Sequence, residues 1–181
     1  MATVLLPELD TPALVVDLAV LRANIERVAE SARAAALHLR PHIKAHKTPE
    51  IARMQLAAGA VGVTAAKVSE AEAMVDGGIE DVFIANEIVG RHKLQRLAEL
   101  RKRACISVAC DSEAVARGYA EWFTDAEDPL EVLLEIDIGA GRCGVPPDGA
   151  SDLARQVCRF PGLRIIGVMG YAPMTLSLIH I

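Results

Sequence analysis

The sequence predicts an α/β fold in which short parallel strands alternate with amphipathic helices. Three observations carry that prediction. A short apolar run, a polar or glycine-rich turn and a helix-patterned stretch recur along the chain. The apolar runs are rich in Val, Ile, Leu and Ala, while aromatic residues make up only 3% of the 181 residues; buried parallel strands against close-packed helices favour that balance. Polar residues also recur where the runs end, at Lys44, Asn86, Asp111, Asp137 and Tyr171. A (β/α)8 barrel and a doubly wound open sheet both keep their ligands at that end of the strands, so the pattern alone leaves the two open.

The elements follow in order. Leu14-Val15-Val16 is the first strand-like run, and Asp17 can cap a helix whose apolar stripe is Leu18, Leu21, Ile25, Val28 and Ala32. Leu37 to Lys44 alternates with period two. Leu37, Leu39 and Ile43 share one face, and Arg40, His42 and Lys44 share the other. Thr48-Pro49 starts a helix, with Pro at its first position. A run from Val61 to Ala65 comes next, and Ser69-Glu70-Ala71-Glu72 resembles a capping box for a helix that Gly77-Gly78 closes. Val82 to Ala85 is a strand, and the helix after it carries Leu94, Leu97 and Leu100. Cys105 to Cys110 is a strand, followed by a helix from Asp111-Ser112. Leu130 to Asp137 is the strongest strand, with Val132, Leu134 and Ile136 opposite Glu135 and Asp137. Beyond the loop Gly139 to Gly144 comes a helix with Leu153 and Val157, then a strand from Leu163 to Met169 that ends at Gly170-Tyr171.

Composition excludes several classes. A net charge of -5 argues against a nucleic-acid binder. Arg101-Lys102-Arg103 is the one tight basic cluster, and it suits the solvated end of a helix. No apolar run reaches membrane-spanning length, and the start lacks a signal-peptide pattern. Cys105, Cys110, Cys143 and Cys158 show no CxxC spacing, so a cytoplasmic protein with reduced thiols is expected.

The stretch Arg40-Pro41-His42-Ile43-Lys44-Ala45-His46-Lys47 carries the most chemistry. A lysine that captures an aldehyde must first lose its proton, and nearby cations and a dry pocket favour the neutral amine. Arg40 on the same face and Lys47 close by are expected to supply that field. Taken alone, a strand-end lysine is more often a solvated side chain. His42 and His46 are four apart, but a metal pair at that spacing needs one helix, so hydrogen-bonding histidines are the plainer interpretation.

That octapeptide resembles the lysine motif of the D-threonine aldolase and D-serine dehydratase family. These are pyridoxal-phosphate (PLP) enzymes with the alanine-racemase type of barrel. Three further segments are similar to the same family, in the same order. They are Thr11 to Asp17, Lys67 to Glu72 with Gly77 to Val82, and Glu135-Ile136-Asp137-Ile138-Gly139-Ala140-Gly141-Arg142-Cys143-Gly144-Val145. The resemblance implies a partial (β/α)8 TIM-type barrel, with residues 1–175 forming an incomplete PLP-binding domain that stops before closure and a C-terminal β-domain that is absent. It makes Lys44 the catalytic Schiff-base lysine and a base on one face of the substrate. Arg142 falls near the cofactor's phenolic oxygen, Tyr171 lies beside the cofactor, and His42 is a further cofactor contact. Taken alone, Arg142 would be a loop salt bridge and Tyr171 a packing residue.

The implied activity is that of a PLP-dependent lyase on D-configured β-hydroxy amino acids, with aldol cleavage preferred. β-Elimination of the D-serine dehydratase kind and a non-catalytic PLP-binding protein are the alternatives. The resemblance also implies a divalent metal on ligands outside this chain and a homodimer in the full-length form. After Tyr171 the family usually continues with a Glu-Gly-His-like sequence, where this chain has Ala172-Pro173-Met174. Residues 176–181 fit the preceding pattern poorly and are expected to be a non-native tail. The 181 residues alone are expected to be inactive, because an unclosed barrel exposes strand edges and apolar faces.

Overall fold

The computed structural model describes residues 9–172, so the expected tail at 176–181 lies outside the described residues. Five strands form one sheet: β1 (Val63–Ala65), β2 (Asp81–Ile84), β3 (Cys105–Cys110), β4 (Leu130–Glu135) and β5 (Leu163–Met169). Every neighbouring pair is parallel, and the spatial order is the chain order, β1-β2-β3-β4-β5. A doubly wound sheet would reverse its order at a switch point. An unbroken sequential order is an arc of a (β/α)8 barrel, which settles the choice that the pattern had left open.

The helices are α1 (Leu18–Ala34), α2 (Pro49–Ala57), α3 (Val68–Asp76), α4 (Arg91–Arg101), α5 (Glu113–Ala120) and α6 (Ala150–Val157). Their start signals mostly work as the residues suggest. Asp17 accepts from the amides of Ala19 and Val20, Ser112 accepts from Val115, and Pro49 opens α2 after Thr48. The capping box at Ser69 does not form. α3 starts one residue before Ser69, and Glu70 reaches back to accept the Ala66 amide at 2.8 Å.

The core lies between the sheet and α3–α6. Leu94, Leu97 and Leu100 of α4, Leu153 and Val157 of α6, and Leu130, Val132 and Leu134 of β4 are all buried in it. Arg101-Lys102-Arg103 stands at the end of α4, as its composition suggests, and each residue is paired with an acid: Asp128, Glu99 and Asp76 respectively.

Two strand expectations fail. Leu14-Val15-Val16 forms no strand, and Leu14 is fully exposed, because a strand needs a ladder partner and none lies beside it among the described residues. The stripe of α1 is likewise mostly uncovered: Leu18 and Val28 are exposed, and Ala29 is its buried residue. The segment 37–44 is not a regular strand either. It runs alongside β1 through Val61 N to Leu39 O, Thr64 N to Pro41 O and Ile43 N to Thr64 O, at 2.7–2.9 Å, and makes a single bridge at His42. Pro41 has no amide to donate, and the chain turns immediately after His42. An irregularity between β4 and β5 pairs Val132 with Ile165 but Leu133 with Gly167. The extra residue brings Met169 opposite Glu135 at the strand ends.

Candidate active site at the strand ends

Lys44, His42, Arg142 and Tyr171 converge on one small cavity of about 100 Å³. Its remaining walls are Asn86, Met169 and the small residues Ala66, Ala85 and Gly170. Lys44 Nζ lies 5.9 Å from the centre of the Tyr171 ring, and the Arg142 guanidinium lies 4.0 Å from the same centre, both at cation–π range. Six strand positions, counting the His42 segment, separate the lysine from the tyrosine. Laid flat at ~4.8 Å per step they would stand roughly 24 Å apart. The sheet therefore curls enough for its two edges to meet across the hollow.

Each side chain is held by local geometry. Ile43 is fully buried and anchors the turn that presents Lys44. Burial, and then the neighbouring Lys44, hold His42 below the ordinary imidazole value. His42 is thus neutral, and its Nδ1 accepts the Lys44 amide at 3.3 Å. His46 does the same for Thr48 at 3.1 Å, so both histidines serve the backbone, as the plainer interpretation had them, although His42 also lines the cavity.

Arg142 sits in a loop built by Asp137. The Asp137 carboxylate accepts from the amides of Gly139 and Gly141, at 2.9 and 3.1 Å, and these bonds hold it below the usual carboxylate value, Gly141 most strongly. The loop returns to the end of β4 through Val145 N to Glu135 O and Asp137 N to Val145 O. Gly144 is required at that closure: its φ is +98°, and a Cβ there would lie 2.5 Å from Asp137 N.

One expectation about the field around Lys44 is corrected. Arg40 points to the opposite end of the sheet, where it forms a two-pronged pair with Asp81 at 2.7 and 3.1 Å. Gly62 makes room for it, since a Cβ there would lie 2.1 Å from Arg40 Nη1. Lys47 is engaged by the buried Glu70 at 3.2 Å. Burial raises Glu70, but the Ala66 amide and Lys47 outweigh that and leave it below its ordinary value. The cation that shares the cavity with Lys44 is therefore Arg142.

A family model described as "Alanine racemase, N-terminal domain" matches residues 16–175. The chain belongs to the alanine racemase N-terminal domain family. A crystal structure of D-threonine aldolase from Filomicrobium marinum superposes with a TM-score of 0.88 at 46% identity, covering 94% of this chain and 46% of that one. D-threonine aldolase from an Arthrobacter species is 43% identical over 92% of this chain and 44% of its own length. D-threo-3-hydroxyaspartate dehydratase from Delftia is 35% identical over 91% of this chain and 44% of its own length. The chain spans less than half the length of the relatives it matches.

Within this family member the site contains more than the sequence pointed out. Asn86 was visible as a strand-end polar residue, and in the structure it lines the cavity and donates to Ala66 O at 2.9 Å. Glu135 shared a strand face with Asp137 in the alternation, yet nothing in the pattern announced that it is 1% exposed and 3.8 Å from Arg142. Burial, then hydrogen bonding and repulsion from Glu87, push Glu135 up to about 7, against the opposing pull of Arg142.

Proposed function

We propose that this chain is the N-terminal portion of a PLP-dependent lyase that cleaves D-configured β-hydroxy amino acids, with D-threonine-type aldol cleavage as its reaction. The observation that carries this reading is the convergence of Lys44 and Arg142 on the Tyr171 ring at the C-terminal ends of the strands. The donor set fits the cofactor: an amine for its aldehyde, a guanidinium for a phenolic oxygen, a flat ring beside it, and small walls at Ala66, Ala85 and Gly170. PLP, when bound, withdraws electrons from Cα of an amino acid and so weakens the bonds around it.

The chain's own residues do the rest. Lys44 Nζ would hold the cofactor through its aldehyde, and as a free amine it would hold or move a proton on one face of the substrate. Arg142, fixed by the Asp137 loop and stacked on Tyr171, places a permanent cation where oxyanion charge gathers. His42 keeps the Lys44 turn in place and lines the cavity. The substrate is a small D-amino acid, and the 36% identical relative from Paracoccus denitrificans, a 3-hydroxy-D-aspartate aldolase, supports a hydroxyl on its β-carbon. A divalent metal is held by residues outside this chain, and the full-length protein is a cytoplasmic homodimer. No described helix is long and apolar enough to cross a membrane.

Borohydride reduction of the full-length, PLP-treated protein tests the reading. A reduced cofactor label is expected on the peptide containing Lys44, and Lys44→Ala removes it. Labelling elsewhere, or labelling unchanged in Lys44→Ala, overturns the assignment. Turnover of D-threonine to glycine and an aldehyde is expected. Ammonia and a keto acid from D-serine would move the reaction to β-elimination.

A further inference from the structure

Near Arg142 stands a polar cluster that the proposed reaction leaves unused. Glu87 follows β2, Asp111 follows β3, and Cys143 lies in the loop after β4. One oxygen or sulfur from each lies within 4.8 Å of the others. A third acid adjoins Glu87. Glu135 ends β4, lies within hydrogen-bonding reach of Glu87, and is 1% exposed. Its Oε2 has no hydrogen-bond partner among the described residues, and neither has the buried Oε1 of Glu87.

Such an arrangement is costly as it stands. A buried carboxylate oxygen with no donor forfeits ~1–3 kcal/mol, and more when charged. Glu135 has only the guanidinium of Arg142 as a counter-charge, and that contact is long, at 3.8 Å. A proton shared between Glu87 and Glu135 would relieve their mutual repulsion. It would not account for a third carboxylate and a thiol directed to the same point from two other segments.

We propose that Glu87, Asp111 and Cys143 form a binding site for a divalent cation of borderline softness, of the Zn²⁺ class, with the buried Glu135 beside Glu87 as its outer partner. Two carboxylates and a thiolate are ligands such an ion accepts, and three protein ligands leave the fourth tetrahedral position to water. Oxygens at about 2.1 Å and a sulfur at about 2.3 Å from a tetrahedral ion stand roughly 3.4–3.7 Å apart. Atoms already within 4.8 Å need only side-chain rotation to reach that spacing. The ligands come from segments that follow three adjacent strands, and the loop that carries Cys143 is tied back to the end of β4 through Val145. A cation here neutralises Glu135 and frees Arg142 to turn wholly toward Tyr171, coupling the two neighbouring sites. The site is distinct from the metal assigned above to ligands outside this chain, and it stands whether or not Lys44 binds PLP.

The test is residue-specific. The full-length, PLP-treated protein is stripped with a chelator, then alkylated with iodoacetamide with and without Zn²⁺, and each cysteine is followed by peptide mass spectrometry. Zn²⁺ is expected to slow modification of Cys143 at least tenfold while leaving the exposed Cys105 and Cys158 unchanged. Glu87→Gln and Asp111→Asn should each remove most of that protection and lower bound zinc after dialysis by one equivalent. Unchanged rates at Cys105 and Cys158 in the variants report that they fold. Equal Cys143 rates with and without Zn²⁺, or protection and zinc content that survive both substitutions, overturn the proposal.

Discussion

Tyr119→Phe removes a single oxygen that ties two segments of the site scaffold together. The Tyr119 side chain is fully buried in α5, and its hydroxyl donates to Ala109 O at 2.8 Å while accepting from the Ile88 amide at 3.0 Å. Burial pushes the phenol well above its usual range, so it stays a neutral donor and acceptor at any working pH. Phenylalanine fills the same space and leaves a buried amide and a buried carbonyl without that partner. Each such loss costs ~1–3 kcal/mol, with the carbonyl at the lower end because it keeps a second lone pair. The expected total is about 2–4 kcal/mol. Ile88 follows directly on Asn86 and Glu87, so the loosening falls on the loop that carries them. Hydrogen exchange followed by mass spectrometry on the full-length protein reads this out. At tenfold per 1.4 kcal/mol, the peptide containing Ile88 should exchange roughly 30- to 700-fold faster. The peptide containing α1 should be unchanged. Equal protection at Ile88 in both proteins would refute the idea that the hydroxyl clamps this loop.

Other perturbations have equally definite outcomes. Arg142→Ala is expected to lower kcat by about 10²–10³-fold, as loss of a fixed oxyanion partner does, while borohydride labelling at Lys44 persists; an unchanged kcat would remove Arg142 from the chemistry. Gly144→Ala should reproduce the Arg142→Ala defect, because the loop must move to relieve a Cβ placed 2.5 Å from Asp137 N, and wild-type kcat would contradict that geometry. His46 is held below the ordinary imidazole value by burial, so the folded state binds fewer protons there than the unfolded chain. Its contribution to stability is therefore full above the unfolded value of ~6.5 and falls as pH drops below it toward the lowered folded value. Melting temperatures compared at about pH 7.5 and about pH 5.5 should show a smaller acid-side drop in His46→Gln than in the wild type.

How much of this was legible in the sequence depends on how local the determining forces are. Helix starts at Asp17, Thr48-Pro49 and Ser112 and the leucine stripe of α4 depend on spacing within one turn or two, and they formed as the residues suggest. Cys105 to Cys110 was bounded correctly as a mostly buried run, and Leu163 to Met169 as an apolar run between turn residues although only Leu163 of it is buried. Leu14-Val15-Val16 has the composition of a strand, but a ladder is made by a neighbour, and no periodicity reports whether the neighbour is present. Ser69 failed as a cap because Glu70 meets the Ala66 amide directly. In the site, Lys44, His42, Arg142 and Tyr171 were named on a family likeness and now share one cavity. The field around the lysine was not legible. Alternation put Arg40 on the face of Lys44, yet a strand face is long, and the three residues between them take Arg40 away to Asp81. The crowding of Glu87, Asp111 and Cys143 arises from three separate segments, which no one-dimensional pattern can bring together.

The meeting of the first and last strand-end residues across the hollow has a mechanical consequence. Among the described residues no backbone ladder joins the segment at His42 to β5, and Lys44 and Arg142 meet Tyr171 through side chains. A small molecule gripped by Lys44 at one rim and Arg142 at the other acts as a strut. It braces the curvature as well as occupying a niche, and by mass action it favours the curled form over flatter ones. Ligand and scaffold then stiffen each other, and resistance to heat or protease becomes a gauge of whether the niche is filled.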